Sequence, residues 1–173
     1  MKNTILRIND AIYLACVWIS GLSLLAVALI IPWGIFGRYV LGTGSRWPEP
    51  TAILLVGVFT FLGAAASYRA NAHMAVALVT SRLQPALQAY TALLIQILMF
   101  IVAVFMLIWG TKLCMATWHQ FNSALPMLRS GMAYLPIPIG AAVTVVFVLE
   151  RALLGDQSRR RVVCFDHTEI EAA

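Results

Sequence analysis

Polar and apolar positions along this chain are grouped in long blocks rather than alternating at single residues. Four stretches, Ala11 to Gly37, Pro50 to Tyr68, Leu83 to Thr111 and Ser130 to Leu149, contain no Asp, Glu, Lys, Arg or His. Each supplies the roughly 18 to 20 residues that a helix rising about 1.5 Å per residue needs to cross about 30 Å of hydrocarbon. The pattern predicts an all-α membrane protein with four transmembrane helices, at about 11–37, 50–68, 83–111 and 131–153. The first and third blocks are longer than a bilayer is thick, so they must tilt, bend or project from it. Pro32 offers the first a place to bend, because it removes a backbone donor.

The connections differ in character. Between the first two blocks, Gly42-Thr43-Gly44-Ser45-Arg46-Trp47-Pro48-Glu49-Pro50 is rich in turn formers. Its prolines suit the first turn of the following helix, and Trp47 suits a membrane interface. Residues 71–84 contain no strong helix breaker and predict a short interfacial amphipathic helix between helices two and three. Ala72, Val76, Val79 and Leu83 form its apolar stripe, with His73 on the polar side. The stripe can sink among acyl chains while Arg69 and Arg82 meet headgroups; a simple extension of the neighbouring helices is the alternative. The third connection ends in Leu135-Pro136-Ile137-Pro138, so the fourth helix must begin with an irregular turn. Residues 1–155 thus form one transmembrane domain, followed by a polar tail at 156–173.

Composition narrows the function. With 61% hydrophobic and 11% charged residues, the chain lies far from ordinary globular composition. The net charge of +5 is spread over the block ends, which fits membrane orientation and not nucleic-acid binding. Lys2, Arg7, Arg69, Arg82, Arg151, Arg159, Arg160 and Arg161 fall on one side, and Arg38, Arg46, Lys112 and Arg129 on the other. The richer side, with both termini, is expected to be cytoplasmic. Lys2 and Arg7 ahead of an apolar run imitate a signal peptide, but the run is too long, so an uncleaved first span is expected.

Candidate chemistry is sparse. Carriers and pumps usually keep an ionisable group or an interrupted helix where ion and substrate couple, and the four blocks hold no such group. His73, His119 and His167 share no depth, so no haem-binding pair is expected. Cys16, Cys114 and Cys164 are scattered, which predicts neither disulfide nor zinc. No cofactor or metal and no enzymatic activity is expected. Gln96, near the middle of the third block, should seek a hydrogen-bond partner on another helix. Gly34 and Gly37, and Gly63 to Ser67, allow close helix approach within the chain or to a partner. No internal repeat supports an inverted-repeat transporter.

The succession Arg38-Tyr39, Arg46-Trp47-Pro48-Glu49, Phe61-Leu62-Gly63-Ala64-Ala65, Arg69 through His73-Met74 to Leu83, Leu125-Pro126-Met127 and Tyr134-Leu135-Pro136-Ile137-Pro138-Ile139-Gly140 resembles the DctQ-type small membrane subunit of tripartite ATP-independent periplasmic (TRAP) transporters, over about residues 8 to 154. That family commonly has two acidic residues after the tryptophan, where this chain has Pro48-Glu49-Pro50, and often an Asp four residues after the histidine, where it has Ala77.

The resemblance implies a non-catalytic scaffold in a bacterial inner membrane. Its partners would be membrane lipids, a large multi-spanning permease subunit that binds sodium and substrate, and a periplasmic substrate-binding protein that delivers an organic acid. Candidate partner-contact residues are Arg38, Arg46, Trp47, Glu49 and Gln96. Candidate headgroup contacts are Arg69, His73, Val76, Val79, Arg82 and Leu83. The rivals from other classes are a membrane anchor of a respiratory enzyme and a small autonomous oligomeric exporter.

Overall fold

The computed structural model describes residues 2–42, 47–70, 85–122 and 125–155. They form α1 (Lys2–Tyr39), α2 (Pro48–Arg69), α3 (Pro85–Thr117), β1 (Phe121–Asn122), β2 (Leu125–Arg129), α4 (Ser130–Tyr134) and α5 (Pro136–Leu154). Four stretches are long and apolar enough to cross a membrane: Leu6–Tyr39, Pro48–Arg69, Tyr90–Thr117 and Ser130–Leu153. The four-helix, all-α membrane architecture expected from the charge-free blocks is therefore present. The interfacial helix expected at 71–84, with His73, Val76, Val79, Arg82 and Leu83, lies outside the described residues, as do Arg46 and the tail.

The helix ends follow from local chemistry. Pro48 and Pro50 sit in the first turn of α2, where a missing N–H costs nothing. Pro136 and Pro138 do the same for α5, and the turn at Leu135 separates it from α4. This is the irregular start that two prolines demand. α1 begins well before Ala11 and continues through Pro32 to Tyr39. A charge does not stop a helix, so Arg7 and Asp10 lie inside α1 and not ahead of it. Between α3 and α4 the chain adds a small antiparallel hairpin, with an irregularity between Phe121 and Asn122. Nothing in the hydropathy pattern announced it.

α1 packs mainly on α2, α2 on α5, and α5 on α3. The seams combine small and polar residues with a few large ones, Tyr13, Leu62, Tyr68 and Phe147 among them. On α1 the buried positions are Asn9, Tyr13, Cys16, Ser20, Ser23 and Val27, spaced alternately four and three apart. That is the repeat of a left-handed helix pair. On α3 the buried positions are Ala103, Gly110 and Cys114. In lipid, large aliphatic side chains gain nothing by turning inward, whereas small ones let backbones approach. Large residues accordingly point outward, among them Trp18, Leu22, Leu25 and Leu29 of α1 and Leu94, Leu98, Ile101 and Phe105 of α3.

Gly140 shows how close the approach is. A Cβ added there would lie 2.6 Å from Cβ of Phe61 and 3.0 Å from its backbone carbonyl. At Gly34 an added Cβ would lie 2.8 Å from Cβ of Pro48, and at Gly131 it would lie 2.9 Å from Cα of Trp118. Several serine and threonine hydroxyls within the helices are satisfied by the preceding turn, as lipid favours. Ser20 Oγ donates to the carbonyl of Cys16 at 2.7 Å and Thr144 Oγ1 to that of Gly140 at 2.8 Å.

Candidate functional site

Two groups of charges stand at opposite ends of the helices. At the end formed by the start of α1 and the finish of α2 and α5, Arg69 is the centre of a buried cluster. Its Nε donates to Glu150 Oε2 at 2.9 Å and its Nη2 to Glu150 Oε1 at 2.9 Å, a two-pronged pair. Nη2 also donates to Asp10 Oδ1 at 2.7 Å. The side chains of Arg69 and Glu150 are 2% and 1% exposed. The rings of Tyr13 and Phe147 lie 5.4 and 5.3 Å from the guanidinium carbon, near enough for cation–π attraction. Nearby, Arg151 sits over the ring of Tyr68 at 5.8 Å.

This placement corrects the expectation that Arg69 meets lipid headgroups. Arg69 ends α2, where a cation suits the helix dipole, and the turn of α2 aims it inward between α1 and α5. It joins three helices with a charge-assisted network and is spent inside the molecule. The cluster also qualifies the electrically bare interior. The centres of the spans carry no charge, but Asp10 and Glu150, each bordering an apolar block, are drawn into the packed end. Asp10 and Glu150 were not singled out in the sequence. The available signal was that two acids border blocks on the side where orientation calls only for bases.

At the opposite end, Arg38 in the last turn of α1 and Glu49 in the first turn of α2 form an exposed pair. Arg38 Nη2 donates to Glu49 Oε1 at 3.2 Å, with side chains 53% and 73% exposed. Each charge complements its own helix dipole. Trp47 precedes α2, half exposed, and its carbonyl accepts from the backbone N–H and the hydroxyl of Thr51. The structure thus brings together Arg38, Glu49 and Trp47. On α3, Lys112 lies 4.8 Å from the centre of the Trp109 ring.

Gln96 belongs to neither end. Its Nε2 reaches the carbonyl of Val148 on α5 at 3.5 Å, beside a cavity lined by Leu93, Ile97, Phe100 and Leu149. The helix-to-helix contact expected of a mid-span amide is made within the chain. His119, the one histidine among the described residues, is exposed beyond the end of α3.

The family model of the DctQ component of tripartite ATP-independent periplasmic transporters matches residues 27–157. The chain belongs to this family. The resemblance read from the sequence motifs is therefore right, and this DctQ-type chain is a small permease subunit of a TRAP transporter and a multi-pass membrane protein. A search of curated proteins gave no match. Residues 27–157 include the Arg38–Glu49 pair, Arg69, Gln96 and Glu150. Asp10 lies before the matched region.

Proposed function

We propose that this subunit is a non-catalytic scaffold, in a bacterial inner membrane with both termini cytoplasmic. It braces the large permease subunit, which holds sodium and an organic acid, while the mobile part of that subunit moves across the bilayer. The observation that carries this reading is how the subunit spends its polar groups. Arg69, Glu150 and Asp10 are paired with one another, and Gln96 reaches a neighbouring helix. A carrier needs ionisable groups that bind and release cargo; these are used to fasten helices. The large outward side chains of α1 and α3 provide apolar surface for lipid and for the large subunit. Residues 71–84, expected from their sequence to form an interfacial helix, would belong to the same brace.

Reconstituting the large subunit and binding protein with and without this chain tests the proposal. Sodium-driven uptake is expected only when the chain is present, and full uptake without it would end the scaffold role. Uptake by vesicles holding this chain alone would favour the exporter, and a Soret band in the purified chain would favour the respiratory anchor.

Trp47, Glu49 and Arg46 of the first connection are further proposed to form part of the docking surface for the binding protein. Glu49→Lys is expected to lower binding-protein-dependent uptake several-fold in the assembled transporter. An unchanged rate would leave Glu49 as an acid serving only its helix start and Arg38.

A further inference from the structure

The exposed pair Arg38–Glu49 stands at the mouth of an apolar slot between α1 and α2. A cavity of about 210 Å³ lies beneath the two charges, floored by Ile31, Gly34 and Pro48. Ile31 and Glu49 also line a second cavity of about 450 Å³, which continues along α2 past Ala52, Ile53 and Val56. From Glu49 to Val56 the helix advances about 10 Å toward the middle of the span. The slot is therefore headed by charge and apolar along its length. Its depth depends on Gly34, where any side chain would strike Pro48.

The geometry points to a binding site for a zwitterionic phospholipid with a primary ammonium headgroup, such as phosphatidylethanolamine. Arg38 has five N–H donors, and among the described residues it uses one, toward Glu49 Oε1; its side chain and that of Glu49 are 53% and 73% exposed. The guanidinium can donate to the lipid phosphate while the carboxylate accepts from the ammonium, and one acyl chain follows the apolar slot. The adjacent cation and anion decide among occupants. A purely anionic headgroup would gain Arg38 but face Glu49, and an apolar helix laid over the slot would strip water from both charges without replacing their partners. A lipid carrying both charges satisfies both. Trp47 beside the pair fits the depth of a headgroup region.

The site shares Glu49 with the docking role proposed above, but its readout is lipid retention and not uptake, so the two can fail separately. The test uses the full chain copurified with its transporter partners. The complex is mixed with equal amounts of phosphatidylethanolamine and phosphatidylglycerol, and lipid adducts are counted on the small subunit ejected in native mass spectrometry. The wild type is expected to retain phosphatidylethanolamine with a several-fold preference. In the double variant Arg38→Gln/Glu49→Gln, which keeps the slot and removes the charges, the preference should vanish. Ile31→Trp, which fills the slot and keeps the charges, should lower the number of retained lipids. Equal retention of both lipids by the wild type, or an unchanged preference in the double variant, would overturn the site and reduce it to ordinary annular contact.

Discussion

The two ends of this subunit use the same chemistry, an arginine facing carboxylate, in opposite surroundings. Arg69 is enclosed by three helices, held by both Glu150 oxygens and by Asp10, and flanked by two aromatic rings. Arg38 reaches one oxygen of Glu49 and leaves most of both side chains uncovered. Enclosure removes water as a competing partner, so the inner cluster holds the helices in one arrangement. The outer pair is left accessible to its surroundings. One end is thus enclosed and tied, the other open.

The largest expected effect breaks the enclosed end. Arg69→Gln leaves Glu150 buried without its counter-charge and should destabilise the folded subunit by about 3 to 5 kcal/mol, measured by equilibrium unfolding in detergent. The triple variant Asp10→Asn/Arg69→Met/Glu150→Gln, which removes all the charges together, should recover most of that loss. Failure to recover would mean that the ions themselves, and not merely their mutual compensation, hold the helices. Asp10→Ala should cost roughly 1.5 to 3 kcal/mol, since it removes the charge-assisted bond to Arg69 and leaves the two to Glu150. At the exposed end, Arg38→Gln should change stability by less than about 1 kcal/mol. Whatever small effect it has should fade as salt is raised from low ionic strength, because exposed charges are screened and enclosed ones much less so. An outer pair as costly to break as the inner one, or an inner one as sensitive to salt, would erase the distinction.

The fold was legible in the sequence at the level of spans, because a run without charge long enough to cross hydrocarbon has few other uses. The proline-led starts of α2 and α5 were legible for a similar reason, since proline has few tolerable places in a helix. Packing was harder to read. In an almost uniformly apolar helix, hydropathy does not separate inside from outside, and the discriminating signal is residue size. The row Asn9, Tyr13, Cys16, Ser20, Ser23 and Val27 mixes polar or small residues with Tyr13 and Val27 at intervals of four and three. The glycines and the alanine-rich stretch alone do not reveal it. Arg69 was misplaced because a basic residue at a span end usually meets headgroups. What reversed that rule was Glu150, 81 positions away, a separation that no local pattern reports.

The order in which the helices touch has a mechanical consequence. With α1 resting chiefly on α2, α2 on α5 and α5 on α3, the three joints act like springs in series, and their compliances add. The softest joint sets how far α1 and α3 can splay when a neighbour pushes on either. The Arg69 cluster fastens the first two joints at one end and does not reach the α5–α3 boundary.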